Sequence, residues 1–428
     1  MVAMTQIASK PLGPLHRAWR LLPAGPRRAA SVGLTAMLAP RLHGRPPKPA
    51  GGMVVVGEIG LPSGLGESAR VLAAGLRQMG LPIWSMDTGL PGSSMTPPTA
   101  MPDDLPAAAA LLLHVNPPLL PYALLRLPRR LARGRRVIGY WAWELPVMPP
   151  EWLQARRFVH EVWATSRFTA AALAPLERAG VTVRAVPIPL ALTPPQPSRL
   201  DRAAFGLPDS AVVVLMSANL ASSFVRKNPL AAVAAHRAAF GGRADRILVL
   251  KIGNPGHFPA DMAQIQAAVA GAANIRLLTE TLPMADAHAL TAASDIVLSM
   301  HRSEGFGLVP AEAMLLGRAV VATGWSGNMD FMDADSAALL TPRLIPVADP
   351  RQVYPSGTVW ADPDPGEAAV HLRRLADDAD ARIALGERGR AMAKARLGPE
   401  ALAAALRAVG FVLPSEGVPP WTPQWMPA

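Results

Sequence analysis

The sequence predicts an α/β protein made of two doubly wound parallel-sheet domains. Three observations carry this reading. Short apolar runs alternate with stretches of helical periodicity from residue 53 onward, a cluster of prolines after residue 186 interrupts the alternation until it restarts at 212, and a glycine-containing loop follows a strand-like run in each half. Parallel strands joined by crossover helices are covered on both faces, so they read as continuous Val, Ile and Leu rather than as alternating patterns.

In the first half, residues 53–56 read as a strand, and residues 66–79 then place Ala69, Leu72, Leu76 and Met79 on one helical face, with Gly80 to stop the helix. Further strands are expected at 83–86, 111–115, 137–140, 162–164 and 183–186, with Ser166 capping a helix that ends near Gly180. Pro187, Pro189, Pro194, Pro195 and Pro197 can belong to neither a helix interior nor a central strand, so this stretch reads as an interdomain linker. The second half resumes with strands at 212–216, 246–252, 275–277, 296–299 and 319–322. Asn228 reads as the cap of its first helix, with Pro229 at the first helical position. Past Asp364 the chain is charged and helical to about Leu397. The expected organisation is an N-terminal extension (1–52), a first domain (53–190), a linker (191–205), a second domain (206–397) and a C-terminal helix and tail (398–428) that holds Trp421 and Trp425.

With 428 residues, half of them apolar, the chain can bury a large core. It has no cysteine, which excludes disulfides, thiolate metal sites and a cysteine nucleophile and fits a reducing compartment. The net charge is +11, and residues 1–50 supply +8 of it through Lys10, Arg17, Arg20, Arg27, Arg28, Arg41, Arg45 and Lys48, with no acid. Interleaved Trp19, Leu21, Leu22, Leu34 and Met37 give two readings of this segment. It is either a contact for an anionic membrane surface or a solvated extension broken by its prolines. No run of about 18 uncharged apolar residues is present, and no secretory leader is expected, so a cytoplasmic protein, peripheral on the inner membrane if residues 1–50 bind lipid, is the expectation.

The most informative run is Glu304-Gly305-Phe306-Gly307-Leu308-Val309-Pro310-Ala311-Glu312, between a strand-like stretch and a helix-like one. Glycines there let backbone N–H groups approach an anion, the helix start adds about half a positive charge, and carboxylates accept hydrogen bonds from sugar hydroxyls. Such a loop can grip a nucleotide sugar. Arg226 and Lys227, just ahead of the helix at Pro229, supply two cations for a diphosphate, and Lys251 at a strand end is a secondary candidate. In the first half Gly60, Ser63, Gly64, Gly66 and Glu67 form a strand-to-helix loop able to pass beneath a phosphate or an acceptor, or simply a tight turn. His114 reads either as a sugar-hydroxyl donor or as a satisfied structural histidine, and Trp141, Trp143 and Glu144 either as an acceptor wall or as packed core.

The spacing of Glu304 and Glu312 resembles the glutamate–seven residues–glutamate signature of retaining glycosyltransferases of the large sucrose-synthase-like family (family 4). Residues 60–67, Arg226-Lys227-Asn228-Pro229 and Trp360-Ala361-Asp362-Pro363-Asp364 resemble its other pieces in the same order, so that the resemblance spans roughly 53–397. It implies the GT-B fold, in which two Rossmann-like domains face one another across a cleft. It also implies a nucleotide diphosphate sugar as donor and a glycan or lipid-linked acceptor of polysaccharide or lipopolysaccharide assembly. Carried over residue by residue, Glu304 lies near the donor sugar and diphosphate, Glu312 on the ribose, Gly305, Phe306, Gly307 and Leu308 along the donor, Arg226 and Lys227 on the diphosphate, and His114 beside the sugar. The departing phosphate oxygen is expected to take the acceptor proton. The family's glycine–arginine pair is absent, since Ser217-Ala218-Asn219 stands there. Neither a cofactor nor a metal is expected: the histidines are scattered, and the first loop lacks the G-x-G-x-x-G pattern despite Asp87 at the next strand end. No nucleic-acid partner is expected. A GT-B epimerase, a glycosyl phosphorylase and a non-catalytic nucleotide-sugar-binding scaffold remain as alternatives.

Overall fold

β1 (Met53–Gly57), β2 (Ile83–Asp87), β3 (Ala110–Leu113), β4 (Val137–Trp141), β5 (Glu161–Ala164) and β6 (Thr182–Ala185) form one sheet in the order β2-β1-β3-β4-β5-β6, parallel throughout. β7 (Val212–Asn219), β8 (Arg246–Gly253), β9 (Ile275–Leu278), β10 (Ile296–Ser299), β11 (Ala319–Thr323) and β12 (Ala338–Leu340) form a second, in the order β12-β11-β10-β7-β8-β9, again parallel. This computed structural model describes residues 33–42, 44–88 and 101–413. The basic residues before 33, together with Trp421 and Trp425, lie outside it.

Each sheet reverses its winding once. In the first, the chain steps from β1 outward to β2 and returns on the other side with β3. In the second it runs β7, β8, β9 and then places β10 against the opposite edge of β7. Crevices for ligands in open parallel sheets form beyond the carboxyl ends of the strands at such reversals. The reversals therefore select the loops after β1 and β3 in one lobe and after β7 and β10 in the other.

Local chemistry accounts for the element ends. Ser63, in extended conformation, accepts from the Gly66 N–H and starts the helix Gly64–Gln78 two residues earlier than its apolar face suggested. The helix expected after Ser166 is two short ones, Arg167–Ala172 and Ala174–Arg178, because Pro175 cannot continue the first. Asn228 is not a side-chain cap. It sits in the left-handed region at φ 55° and joins the short helix Phe224–Lys227 to Pro229–Phe240, a conformation asparagine tolerates better than most residues. Residues 186–211 contain no helix or strand.

One feature, the hairpin of residues 344–361, had no counterpart in the sequence reading. β13 (Leu344–Pro346) and β14 (Val359–Ala361) form a small antiparallel hairpin, and Tyr354 and Trp360 from this segment pack in the same apolar cluster as Trp141, Trp143 and Trp152 of the first lobe. Strands of three residues, one of them ending in proline, carry too little periodicity to be read. The helix Glu400–Val409 places Leu402, Leu406 and Val409 in a core shared with Met53, Val55 and Leu72 of the first lobe, and its closing Gly410 lies beside Lys48 and Pro49. Among the described residues no helix is long and apolar enough to cross a membrane.

One buried polar cluster tests the first lobe's packing. The Glu161 carboxylate, on β5, accepts from Trp163 Nε1 at 2.7 Å and from Arg136 Nη2 at 3.0 Å. Glu161→Ala strands both donors and is expected to cost about 3–5 kcal/mol, read as a lower urea midpoint. A change within about 0.5 kcal/mol would show that the cluster contributes nothing to stability.

Candidate active site

Loops from the carboxyl ends of β7 and β10 bring two cations and a carboxylate together at the second reversal. Ser223, held at φ 73°, caps the short helix that carries Arg226 and Lys227. From the β10 loop, Glu304 accepts from Arg226 Nη1 at 3.0 Å and from Lys227 Nζ at 2.5 Å. Burial alone would raise the Glu304 carboxyl, but Lys227 and Arg226 outweigh it and hold the group far below the usual carboxylate range. Glu304 is therefore ionised at neutral pH.

The two cations are not equivalent. Arg226 is 2% exposed and divides its guanidinium among Glu304, the Ser303 carbonyl (2.7 Å) and the Ser222 carbonyl (2.9 Å), with the Tyr354 ring 5.6 Å away. Both of its Nη groups are engaged by protein groups, while Lys227 keeps the greater exposure. The physical reason is the planar fork of arginine, which suits several fixed carbonyls at once.

A third loop, after β11, fastens Glu304 from behind. Ser326 Oγ accepts the Glu304 N–H at 2.8 Å and the Glu304 carbonyl accepts from Gly327 N at 2.9 Å. Asn328 Oδ1 stands 3.1 Å from His301 Nε2, and burial depresses the His301 pKa, which favours a neutral ring with its proton on that nitrogen. Ser326, like Ser223, is a non-glycine residue at positive φ (81°). Such strain persists where the surroundings over-determine it, and here it borders the charge cluster in both loops. Sequence reasoning missed His301, Ser326 and Asn328, although the strand-end rule that selected the other loops also applies to β11.

The first lobe closes against this assembly. Glu144 Oε1 is 3.7 Å from Arg226 Nη2, and the Glu144 carbonyl accepts from the Ser303 hydroxyl. Thr165 and Thr169 donate to the Gly305 carbonyl at 3.1 and 3.3 Å, and Arg167 grips Asp330 through its backbone N–H (2.7 Å) and Nε (3.0 Å). A Cβ on Gly305 would come within 3.2 Å of the Trp143 backbone, so a larger residue would crowd this approach, while Gly307 turns at φ 101° into the helix Leu308–Leu315. Gly305 lies against the first lobe, and the Phe306 ring is buried 5.1 Å from Phe331.

The remaining residues fall into two groups. The loop after β1 does approach the second lobe, since a Cβ on Gly64 would stand 3.8 Å from Leu308 Cδ1. Gly60 N–H is held by Asp87 (3.0 Å), Ser63 Oγ donates to Glu58 (3.1 Å), and Glu67 pairs with Arg70 (2.6 Å). Glu312 lies 3.7 Å from His288 Nε2, whose Nδ1 accepts from Gln196 N. Lys251, half-buried on β8, is in register with Ser217 of β7, on the side of β7 away from β10. The other group is internal. His114 bonds Ser68 Oγ at 2.8 Å, its ring lies 5.0 Å from that of Tyr140, and burial lowers its pKa to about 4, so its ring is neutral. Trp141 is fully buried, and Trp143 packs between Trp152 (4.9 Å) and Tyr354 (5.6 Å), so both indoles lie in one apolar cluster. Among the described residues no three His, Asp or Glu side chains form a group that could hold a metal ion.

Breaking the cluster should be costly. Arg226→Met leaves Glu304 and Glu144 without their shared cation and is expected to destabilise the fold by about 3–5 kcal/mol in denaturant titration. Because the folded Glu304 pKa is depressed, its contribution is complete above the unfolded value of about 4.3 and fades as pH falls through the folded pKa. The stability gap between wild type and Glu304→Gln should therefore hold steady above about pH 5 and shrink below about pH 4. A gap independent of pH would refute the ionised assignment.

Residues 215–353 match the family described as glycosyl transferases group 1, whereas no curated protein matches the chain. Among solved structures, HepE of Anabaena in complex with UDP and glucose is 17% identical, with a TM-score of 0.57 over 84% of this chain and 100% of that one. An α,α-trehalose-phosphate synthase (UDP-forming) of Burkholderia vietnamiensis is 15% identical, with a TM-score of 0.52 over 71% and 72% of the respective chains. Sucrose-phosphate synthase of Thermosynechococcus elongatus is 17% identical, with a TM-score of 0.50 over 70% and 72%. At these identities the likeness speaks for the fold. The protein has the GT-B fold, and residues 215–353 of its second lobe match the glycosyl transferases group 1 family.

Proposed function

We propose that this protein is a retaining hexosyltransferase of the sucrose-synthase-like group that transfers a hexose from a nucleotide diphosphate sugar to a glycan or lipid-linked acceptor. Its setting is polysaccharide or lipopolysaccharide assembly at the cytoplasmic side of the inner membrane. The observation that carries the reading is the Glu304–Lys227 pair, set between the lobes at the second sheet's reversal and inside the residues that match the glycosyl transferases group 1 family. Related folds solved with UDP and glucose or with UDP-glucose support the donor class.

In this mechanism the bond between the anomeric carbon and the diphosphate oxygen breaks while the acceptor oxygen bonds to the same face of that carbon. The acceptor proton passes to the departing phosphate oxygen. Negative charge grows on the diphosphate, and Lys227 exchanges part of its contact with Glu304 for the leaving group. Glu304 keeps Lys227 aimed, and Arg226 keeps Glu304 in place. Glu312 takes the ribose hydroxyls, Lys251 lies further along the same strand ends, and the loop with Gly60, Ser63, Gly64, Gly66 and Glu67 faces the acceptor side. Charge compensation by Lys227 lets the reaction run without a metal, so turnover should survive EDTA.

Calorimetry with UDP, GDP and ADP tests the donor assignment directly. Glu312→Ala is expected to weaken binding of the preferred diphosphate about 10–100-fold, the equivalent of a charged hydrogen bond of about 1.5–3 kcal/mol. Lys227→Ala should lower kcat more than it raises KM, because the charge it meets is greatest in the transition state. Failure of all three nucleotides to bind would overturn the proposal.

A further inference from the structure

The first lobe carries an apolar and strongly basic face at the end opposite the interlobe site. Residues 33–38 form a short helix that turns Ala36 and Ala39 into the first lobe's core but leaves Leu34, Met37 and Leu38 59%, 73% and 65% exposed. Two neighbouring segments hold it there. Pro40 lies against Leu124, Leu127, Leu131 and Ala132, and Leu42 N donates to the Arg157 carbonyl at 3.0 Å. Both segments are exposed and cationic: Arg126, Arg129, Arg130 and Arg133 precede β4, and Arg156 and Arg157 precede β5. They therefore sit toward the amino ends of these strands, whereas the site lies beyond carboxyl ends.

The charge of this face is one-sided. Residues 33–42, 119–134 and 150–157 contain exposed Arg41 and the six arginines just named, against one exposed acid, Glu151. Buried Arg135 and partly buried Arg136, the latter paired with Glu161, lie behind them. Large exposed apolar side chains ringed by cations match the boundary of an anionic bilayer, where apolar groups enter the acyl region and guanidinium groups meet headgroup phosphates. The chain's own N-terminal segment is a poor occupant. Residues 1–32 carry Lys10, Arg17, Arg20, Arg27 and Arg28 with no acid, and like charges repel. A nucleic acid would satisfy the arginines but leave Leu34, Met37 and Leu38 in water.

We propose that this face, built from the 33–38 helix and the arginine-bearing segments before β4 and β5, docks the protein on an anionic lipid membrane. The inference deepens the proposed function by giving the enzyme a lipid surface as partner, and its test does not depend on the donor or the acceptor. Docking by this end leaves the interlobe site facing away from the bilayer plane, which suits the glycan acceptor of that reading rather than the lipid-linked one.

The full-length protein should sediment with phosphatidylcholine vesicles only when phosphatidylglycerol is included, and raising salt from about 0.1 M to about 1 M should weaken the association. Arg129→Glu/Arg130→Glu/Arg133→Glu is expected to lower vesicle affinity at least about 100-fold. Leu34→Ser/Met37→Ser/Leu38→Ser should leave an association that salt removes entirely. Calorimetric binding of the nucleoside diphosphate should stay unchanged in both variants, which separates this proposal from the donor assignment. Hydrogen exchange of the wild-type protein should slow over 33–42 and 124–133 on vesicles, a readout independent of how the variants fold. Equal binding to neutral vesicles, equally tight binding to a single-stranded oligonucleotide, or loss of binding only in Arg17→Gln/Arg20→Gln/Arg27→Gln/Arg28→Gln would each overturn it.

Discussion

A carboxylate ionised in a nearly dry interior sets the conditions for everything around it. Glu304 is buried, and desolvation would neutralise it unless cations stood within hydrogen-bond reach. Lys227 and Arg226 meet that demand from the β7 loop, so two loops far apart in sequence are tied at the sheet's reversal. Arg226 must then be satisfied in turn, which draws in the carbonyls of Ser222 and Ser303 and the first lobe's Glu144. One charge thus organises three loops and a domain contact.

The contact between lobes is unusually polar near this point. The carbonyl of Gly305 is met by two threonine hydroxyls, Ser303 bonds the Glu144 backbone, and Arg167 reaches Asp330. Such bonds are directional but individually modest, each about 0.5–1.5 kcal/mol net. Bonds of that kind fix the orientation of lobes that also share buried apolar clusters. The hairpin bearing Tyr354 and Trp360 adds the apolar part, stacking against Trp143 on one side and Arg226 on the other. Binding chemistry and lobe closure therefore share the same few residues.

The basic face of the first lobe is independent of this arrangement. Its arginines sit in segments leading into β4 and β5, and the site uses loops leaving the other end of the sheets. A parallel sheet separates the two by construction, because all its strands point one way. Surface attachment at one end and chemistry at the other can then vary without disturbing each other.

Much of the architecture was legible from local pattern: apolar runs of strand length, glycine and proline at the ends, and the proline cluster near 190 fall where short-range sterics act. The charged loops were legible as well, because residue types such as Glu304, Arg226 and Lys227 beside a strand end limit what chemistry is available. Their division of labour was not. Whether Arg226 spends its donors on protein, whether Trp141 and Trp143 face a ligand or a core, and whether His114 is solvated depend on neighbours tens to hundreds of residues away. The hairpin at 344–361 and the Ser326–Asn328 loop escaped notice for the same reason. Their conformations are imposed by long-range packing and hydrogen bonding, which periodicity in a single chain segment does not encode.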